Sequence, residues 1–169
     1  MVLLWSLDVG IWGFNSMSLE IFNRQRTKKI NTRLLKQIVG ELFAELEIEQ
    51  AQLGIHLVAA PEMMRLNEKF LRHAGPTDVI SFDYSTPRPQ IPDPRSQFHG
   101  EIFVCVHEAV WQARKFGTSW QSEVVRYVVH GVLHLLGFDD ARPGARRKMK
   151  REENRRVREL SRRFPLSKL

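Results

Sequence analysis

The stretch HGVLHLLGFDD, residues 130–140, carries two histidines four positions apart, then a glycine, and two aspartates at its end. Residues at i and i+4 lie one turn apart on the same face of an α-helix, so His130 and His134 can reach one metal ion. Gly137 permits a left-handed turn that reverses the chain, and Asp140 can then return as a third ligand. The stretch therefore predicts a metal site at the end of a helix.

The helix that carries these histidines, residues 120–136, is apolar over most of its circumference, which predicts that it lies in the core. Its polar residues form one narrow stripe, made of Glu123, Tyr127, His130 and His134. The pattern H-x-x-x-H-x-x-G-x-x-D has the spacing of the long zincin motif, with a carboxylate at its last position. The residues leave open one alternative to a metal site. In it, the two histidines are hydrogen-bonded core residues, and Asp139 and Asp140 cap the next helix.

Strand and helix patterns alternate on both sides of this helix. Four segments have the apolar, β-branched and aromatic content of strands: residues 18–25, 53–59, 78–84 and 101–106. Helical patterns cover 31–49, a short segment from Pro61, 107–116 and a basic segment from Pro143. We predict a single α+β domain over 18–169, a small mixed β-sheet packed with helices. Residues 1–17 are predicted to be a disordered extension, or a start assigned too early, with Met17 as the true start.

Composition narrows the class of protein. The 169 residues are 43% hydrophobic and 27% charged, as in globular proteins, and no apolar run reaches the ~20 residues that span a bilayer. The one cysteine, Cys105, excludes an internal disulfide and a cysteine-built zinc finger. These features predict a cytoplasmic protein without a membrane partner.

The net charge of +7 is concentrated near the C-terminus. Residues 142–163 hold eleven Lys or Arg and three Glu, a net charge of +8, so the rest of the chain sums to −1. A basic helix of this kind attracts polyanions, nucleic acid first among them. A solvated helix face without a partner is the alternative.

Three motifs in order carry a family resemblance. HGVLHLLGFDD resembles the H-G-x-L-H-L-x-G-[YF]-D-H signature of the YbeY endoribonucleases, the bacterial rRNA maturation factors. LNEKFLRHAGPTDVISF, residues 66–82, and HGEIFVCVHEAVWQA, residues 99–113, are similar to two further family motifs. The resemblance implies one zinc ion, with His130 and His134 as ligands, and cleavage of single-stranded RNA. It also implies a task in small-subunit rRNA maturation and ribosome quality control, with the small subunit as partner.

The chain departs from those motifs at three positions. Asp140 replaces the last histidine of the signature, which makes the ligand set anionic, weakens the ion as a Lewis acid and suits Fe(II) or Mn(II) as well as zinc. Leu71 stands where the motif has an arginine, and Arg72 beside it points about 100° away on a helix. Ala74 replaces an aspartate. These changes affect the expected electrostatics of catalysis more than the fold.

Gly131 stands where metallopeptidases of this spacing have their glutamate base, which argues against a peptidase. Bound zinc can bring the pKa of water to about 7, so cleavage of a phosphodiester does not need a strong side-chain base. It needs positive charge around the phosphate oxygens, which we expect from the ion, Arg72 and the helix over residues 146–163. Asp78 and Ser81 are candidates for ordering substrate or water, and Asp78 equally for capping a turn. Asp139 is a candidate for orienting His134, and equally for helix capping.

These observations lead to a metal-dependent, single-strand-specific endoribonuclease as the first hypothesis. The alternative is a ribosome-associated RNA-binding factor with a structural metal site and little nuclease activity, which Leu71 favours. An iron-dependent oxygenase is the third hypothesis and rests only on the His-His-Asp ligand set.

Overall fold

The computed structural model describes residues 17–71, 77–85 and 98–169. The strands in these ranges are β1 (Met17–Asn23), β2 (Ala51–Val58), β3 (Val79–Asp83) and β4 (Phe98–Cys105). The α-helices are α1 (Thr32–Glu45), α2 (Ala60–Leu66), α3 (Val106–Phe116), α4 (Trp120–Leu135) and α5 (Pro143–Arg163). One π-helical turn (Asn67–Leu71) extends α2, and a short 3-10 helix (Leu166–Lys168) follows α5.

The strands form one mixed sheet in the order β1-β2-β4-β3. β1, β2 and β4 are parallel, and β3 is antiparallel to β4 at the edge. The prediction of one α+β domain with a small mixed sheet is confirmed. Within the described ranges, no helix combines the length and the apolar character that crossing a membrane requires.

Helix α4 lies at the centre of this fold, as its apolar circumference predicts. It packs against β3 and β4 of the sheet and against α3 and α5. Valines and leucines along its length are buried, and so are Glu123 and Tyr127 of its polar stripe. The histidines of that stripe are half-buried.

Side-chain caps and left-handed glycines define several helix ends. The Asn31 side chain accepts from the backbone N–H of Leu34, and Ser119 caps α4 by accepting from the N–H of Ser122. Gly117 and Gly137 adopt the left-handed conformation after α3 and α4, with φ of 66° and 83°.

Two predicted boundaries were wrong. Helix α1 ends at Glu45, four residues early, because Glu47 adopts a φ of 56° and turns the chain toward β2. Strand β4 begins at Phe98 rather than Glu101, because its first residues pair with Ala51 and its neighbours on β2. The predicted extension before Met17, Arg72 and Ala74 lie outside the described residues.

Gly131 allows α4 to approach the sheet closely. A Cβ atom added there would lie 2.8 Å from Ile102 Cγ2, 2.9 Å from Ile102 Cδ1 and 3.0 Å from Ser81 Oγ. The position therefore has no room for the glutamate of a peptidase, and the glycine has a packing role.

We expect Gly131→Ala to lower the free energy of unfolding by about 1–3 kcal/mol, because the added methyl group overpacks the contact with β4. Urea denaturation measures this loss. Gly40→Ala on α1 is the matched control, since nothing lies within 4 Å of its added Cβ. Because alanine is the better helix former, that control should gain about 0.5–1 kcal/mol. Equal stabilities of the two variants would contradict the packing account.

Candidate metal centre and cleft

His130 and His134 lie on consecutive turns of α4, with their Nε2 atoms 3.0 Å apart. After α4 the chain turns at Gly137 and brings Asp140 back beside the two rings. The Oδ2 atom of Asp140 lies 3.9 Å from each Nε2 atom. The three potential ligand atoms all lie within 4.8 Å of one another, so one ion can contact all of them. The structure thus brings together the three residues predicted as metal ligands.

The Nδ1 atoms of both rings are held by acceptors. His134 Nδ1 lies 3.0 Å from the carbonyl oxygen of Phe138, and His130 Nδ1 lies 3.0 Å from Oε2 of Glu153. A carbonyl and a carboxylate can only accept, so each Nδ1 donates its hydrogen and each Nε2 presents a lone pair. Two lone pairs facing each other at 3.0 Å repel unless a cation lies between them. The donor set therefore fits a metal ion.

The surroundings of His134 favour the neutral, ligating form of its ring. Burial lowers the pKa of His134, and the neighbouring His130 lowers it further, against the opposing effect of Asp140. A neutral imidazole is the form that binds metal ions.

Glu153, on α5, connects His130 to two basic side chains. Its Oε1 atom accepts from Arg126 Nη1 at 2.6 Å and from Lys150 Nζ at 2.7 Å, while Oε2 faces His130. Burial by itself would raise the pKa of Glu153, but the hydrogen bonds from His130, Lys150 and Arg126 lower it to about 2. The buried carboxylate is therefore ionised and fixes the orientation of His130, as carboxylates commonly do for ligating histidines.

A cleft of about 490 Å³ opens beside the ligand group, between α3, α4 and α5. His130, Asp140 and Asp78 line it, so two of the three predicted ligands and one predicted catalytic residue share one cavity. Arg146 also lines the cleft, and its Nε donates to the backbone carbonyl of Asp140 at 2.9 Å. The metal group therefore has an adjoining cavity that can hold part of a substrate.

Comparison with known proteins identifies the family. The family model described as endoribonuclease YbeY matches residues 20–161. The chain belongs to the YbeY endoribonuclease family. YbeY of Corynebacterium efficiens is 36% identical over 139 residues, which cover 79% of this chain and 70% of that protein. YbeY of Chlorobium luteolum is 33% identical over 151 residues, covering 86% of this chain and all of that protein.

A solved structure supports the same fold. The solution structure of TM1509 from Thermotoga maritima matches with a TM-score of 0.57 and 26% identity, over 84% of this chain and 88% of that one. As a YbeY family member, the chain differs from the family signature at Asp140, whose carboxylate lies beside the two histidines in the candidate metal group.

The other predicted site residues of this YbeY protein have identifiable contacts or lie outside the described ranges. Asp78 Oδ1 accepts from the backbone N–H of Val79 at 2.9 Å, an arrangement typical of a turn. The Oδ1 atom of Asp139 accepts from the N–H of Ala141, so the carbonyl of Phe138, rather than Asp139, contacts the His134 ring. Arg72 is outside the described residues.

Sequence reasoning missed Glu153, although a signal for it exists. The buried face of α5 is formed by Met149, Glu153, Arg156, Val157 and Leu160, which recur at helical spacing. A carboxylate among apolar residues at that spacing predicts a buried acid that needs partners. Its partner His130 lies 23 positions earlier in the sequence and could not be assigned from local pattern.

The basic side chains of α5, which were expected to face the phosphate, make two kinds of contact. Of its basic side chains, Arg146 and Lys150 line the described part of the cleft. Toward its C-terminal end, Arg156 pairs with Glu45 and Arg163 with Glu41, both on α1. The prediction that the 146–163 helix supplies positive charge to the phosphate therefore rests on Arg146 and Lys150, while part of the helix charge holds α5 against α1.

Tyr127 forms part of the cleft wall, and its buried hydroxyl has no hydrogen-bond partner among the described residues. Burial raises the pKa of Tyr127 far above its usual range, with Asp78 and Glu123 adding to the effect. The phenol therefore stays protonated.

We expect Tyr127→Phe to keep the free energy of unfolding or to raise it by up to about 1 kcal/mol, since an unpaired buried hydroxyl is unfavourable. Urea denaturation of the two proteins side by side checks this. A loss greater than about 1 kcal/mol would show that the hydroxyl makes a stabilising bond in solution.

Proposed function

We propose that this protein is a metal-dependent endoribonuclease that cleaves single-stranded RNA during small-subunit rRNA maturation and ribosome quality control in the cytoplasm. The convergence of the Nε2 atoms of His130 and His134 with Asp140, beside an open cleft, is the observation that carries the proposal. Membership of the YbeY endoribonuclease family supports RNA as the substrate and the small ribosomal subunit as the partner.

Charge in the described part of the cleft supports a role for the ion. Four carboxylates and three basic side chains line it there: Asp78, Glu123, Asp140 and Glu153, against Arg126, Arg146 and Lys150. Two of the three basic groups are already held by Glu153. Without an added cation this part of the cleft would repel a phosphodiester, so metal binding is needed for substrate as well as for chemistry.

His130, His134 and Asp140 would hold the ion. Two imidazoles and one carboxylate suit zinc, and they also suit Fe(II) or Mn(II). When bound, the ion would act as a Lewis acid toward the phosphate and would make hydroxide available near neutral pH.

The protein's own groups then position the RNA. Arg146 has no carboxylate partner among the described residues and lies at the cleft wall, where its guanidinium can pair with a phosphate oxygen. We also propose that Arg72, next to the position where the family motif has its arginine, adds positive charge for phosphate binding. Asp78 lines the cleft and is proposed to orient substrate or water, while Asp139 stabilises the turn that presents Asp140.

The anionic side chain of Asp140 should affect how the cleavage rate depends on pH. Asp140→His replaces an anionic ligand by a neutral one, which leaves the ion a stronger Lewis acid. The pH at which the cleavage rate is half-maximal should therefore move down in the variant, and a pH–rate profile on a fixed RNA measures it. An unchanged profile in a variant that keeps its ion would remove Asp140 from the ligand set.

A second candidate function is an RNA-binding factor with a structural metal site, favoured by Leu71 at the motif's arginine position. Incubation with unstructured RNA, with and without a chelator, separates the two. Cleavage that the chelator abolishes supports the endoribonuclease. RNA that is bound but stays intact with the ion present would overturn it in favour of the binding factor.

A further inference from the structure

The outer face of α3 carries exposed aromatic rings next to the cleft. Trp111 is 49% exposed and Phe116 is 66% exposed. Both rings contact the same ammonium group, since Lys115 Nζ lies 4.9 Å from the Trp111 centroid and 5.3 Å from the Phe116 centroid. The two rings therefore flank one cation, and we call these three side chains the α3 patch.

Charge on this face of α3 is positive. Arg114 and Lys115 are exposed and form no ion pair with any described residue. The nearest carboxylate on the helix, Glu108, is half-buried and accepts from Gln112. Exposed rings interleaved with unpaired cations are the features by which proteins bind single-stranded nucleic acid, because bases stack on the rings and phosphates meet the cations.

The α3 patch is continuous with the candidate catalytic cleft. Phe116 and Gln112 line that cleft together with His130 and Asp140. A strand whose phosphate lies at the ligand group can therefore leave the cleft across Phe116 and continue over Trp111.

We infer that the α3 patch is a base-stacking extension of the active site, which binds unpaired nucleotides of single-stranded RNA beside the scissile bond. This inference rests on the proposed function. Stacking on a ring is tolerant of base identity, since every base has a π-face. The α3 patch thus provides affinity for unpaired RNA and discriminates against duplex, whose bases are already stacked on each other.

The experiment measures binding of metal-loaded protein to fluorescein-labelled oligouridine of about 12 nucleotides, by anisotropy read before cleavage proceeds. Trp111→Leu and Phe116→Leu keep apolar side chains and remove the π-face. We expect each to weaken binding about five- to tenfold, with tyrosine at either position restoring most of it. An oligomer with the same phosphates but abasic sugars should bind all variants alike.

Phe22→Leu is the matched control, because Phe22 is an exposed ring on the edge strand β1, away from the cleft. It should leave binding unchanged. If the α3 variants bind the oligouridine as tightly as the parent does, or weaken the abasic oligomer equally, the inference is overturned.

Measuring both binding and cleavage on the same samples separates this inference from the proposed function. Ring-dependent binding by a protein that never cuts RNA would support the α3 patch and overturn the nuclease. Metal-dependent cutting with ring-independent binding would support the nuclease and overturn the α3 patch.

Discussion

His134→Ala should lose its metal ion and reduce RNA cleavage by at least about 1,000-fold. An ion acting as a Lewis acid contributes several kcal/mol to the transition state, and each 1.36 kcal/mol corresponds to about tenfold in rate. His134 supplies one of the two Nε2 atoms that converge 3.0 Å apart, so its removal leaves a ligand pair that cannot hold the ion tightly. Elemental analysis and single-turnover cleavage of unstructured RNA measure both effects.

The control for this variant is His99→Ala on β4, a half-buried histidine whose ring contacts Tyr84. It should keep both the ion and the cleavage rate. An His134→Ala protein that folds, lacks the ion and still cuts RNA near the parent rate would refute the assigned role of the metal.

Glu153→Ala should lower the free energy of unfolding by about 2–3 kcal/mol. The substitution removes a buried carboxylate that accepts from Arg126 and Lys150 and faces His130 Nδ1, while the partly exposed Arg126 and Lys150 side chains are left to water. Because the ring of His130 is no longer fixed, metal affinity should also fall about 10- to 100-fold. Urea denaturation gives the first quantity and metal-binding titration the second.

Glu159→Ala is the matched control for Glu153→Ala, because it removes a carboxylate from the same helix. Glu159 is on the same helix and lies near Arg155 and Arg156, but its side chain is 34% exposed. Its loss should change the unfolding free energy by no more than about 0.5–1 kcal/mol and leave metal affinity unchanged. Similar losses from the two variants would mean that the contact with His130 has no special role.

The parts of the site that sequence could predict are those fixed by local geometry. The i, i+4 spacing brings His130 and His134 to one face, and the turn at Gly137 returns Asp140 within three residues. The apolar circumference of α4 likewise predicts its central position, because a helix whose polar residues form only a narrow stripe must be covered on most sides.

The parts that could not be predicted depend on contacts between distant segments. Glu153 reaches His130 because α5 folds back along α4, and no local pattern states which face of α5 meets that helix. Arg156 is paired with Glu45, 111 positions earlier. The net charge of residues 142–163 is therefore larger than the positive charge that faces the cleft. The left-handed conformation of Glu47, which ends α1 early, depends in the same way on where β2 must begin.

The most direct test of the central claim is the RNA cleavage rate of metal-free protein as ion is added back in known equivalents. If His130, His134 and Asp140 hold one catalytic ion, the metal-free protein does not cut RNA. The rate then rises in proportion to added zinc and levels off at one equivalent per chain. Cleavage by the metal-free protein at the full rate would contradict the account.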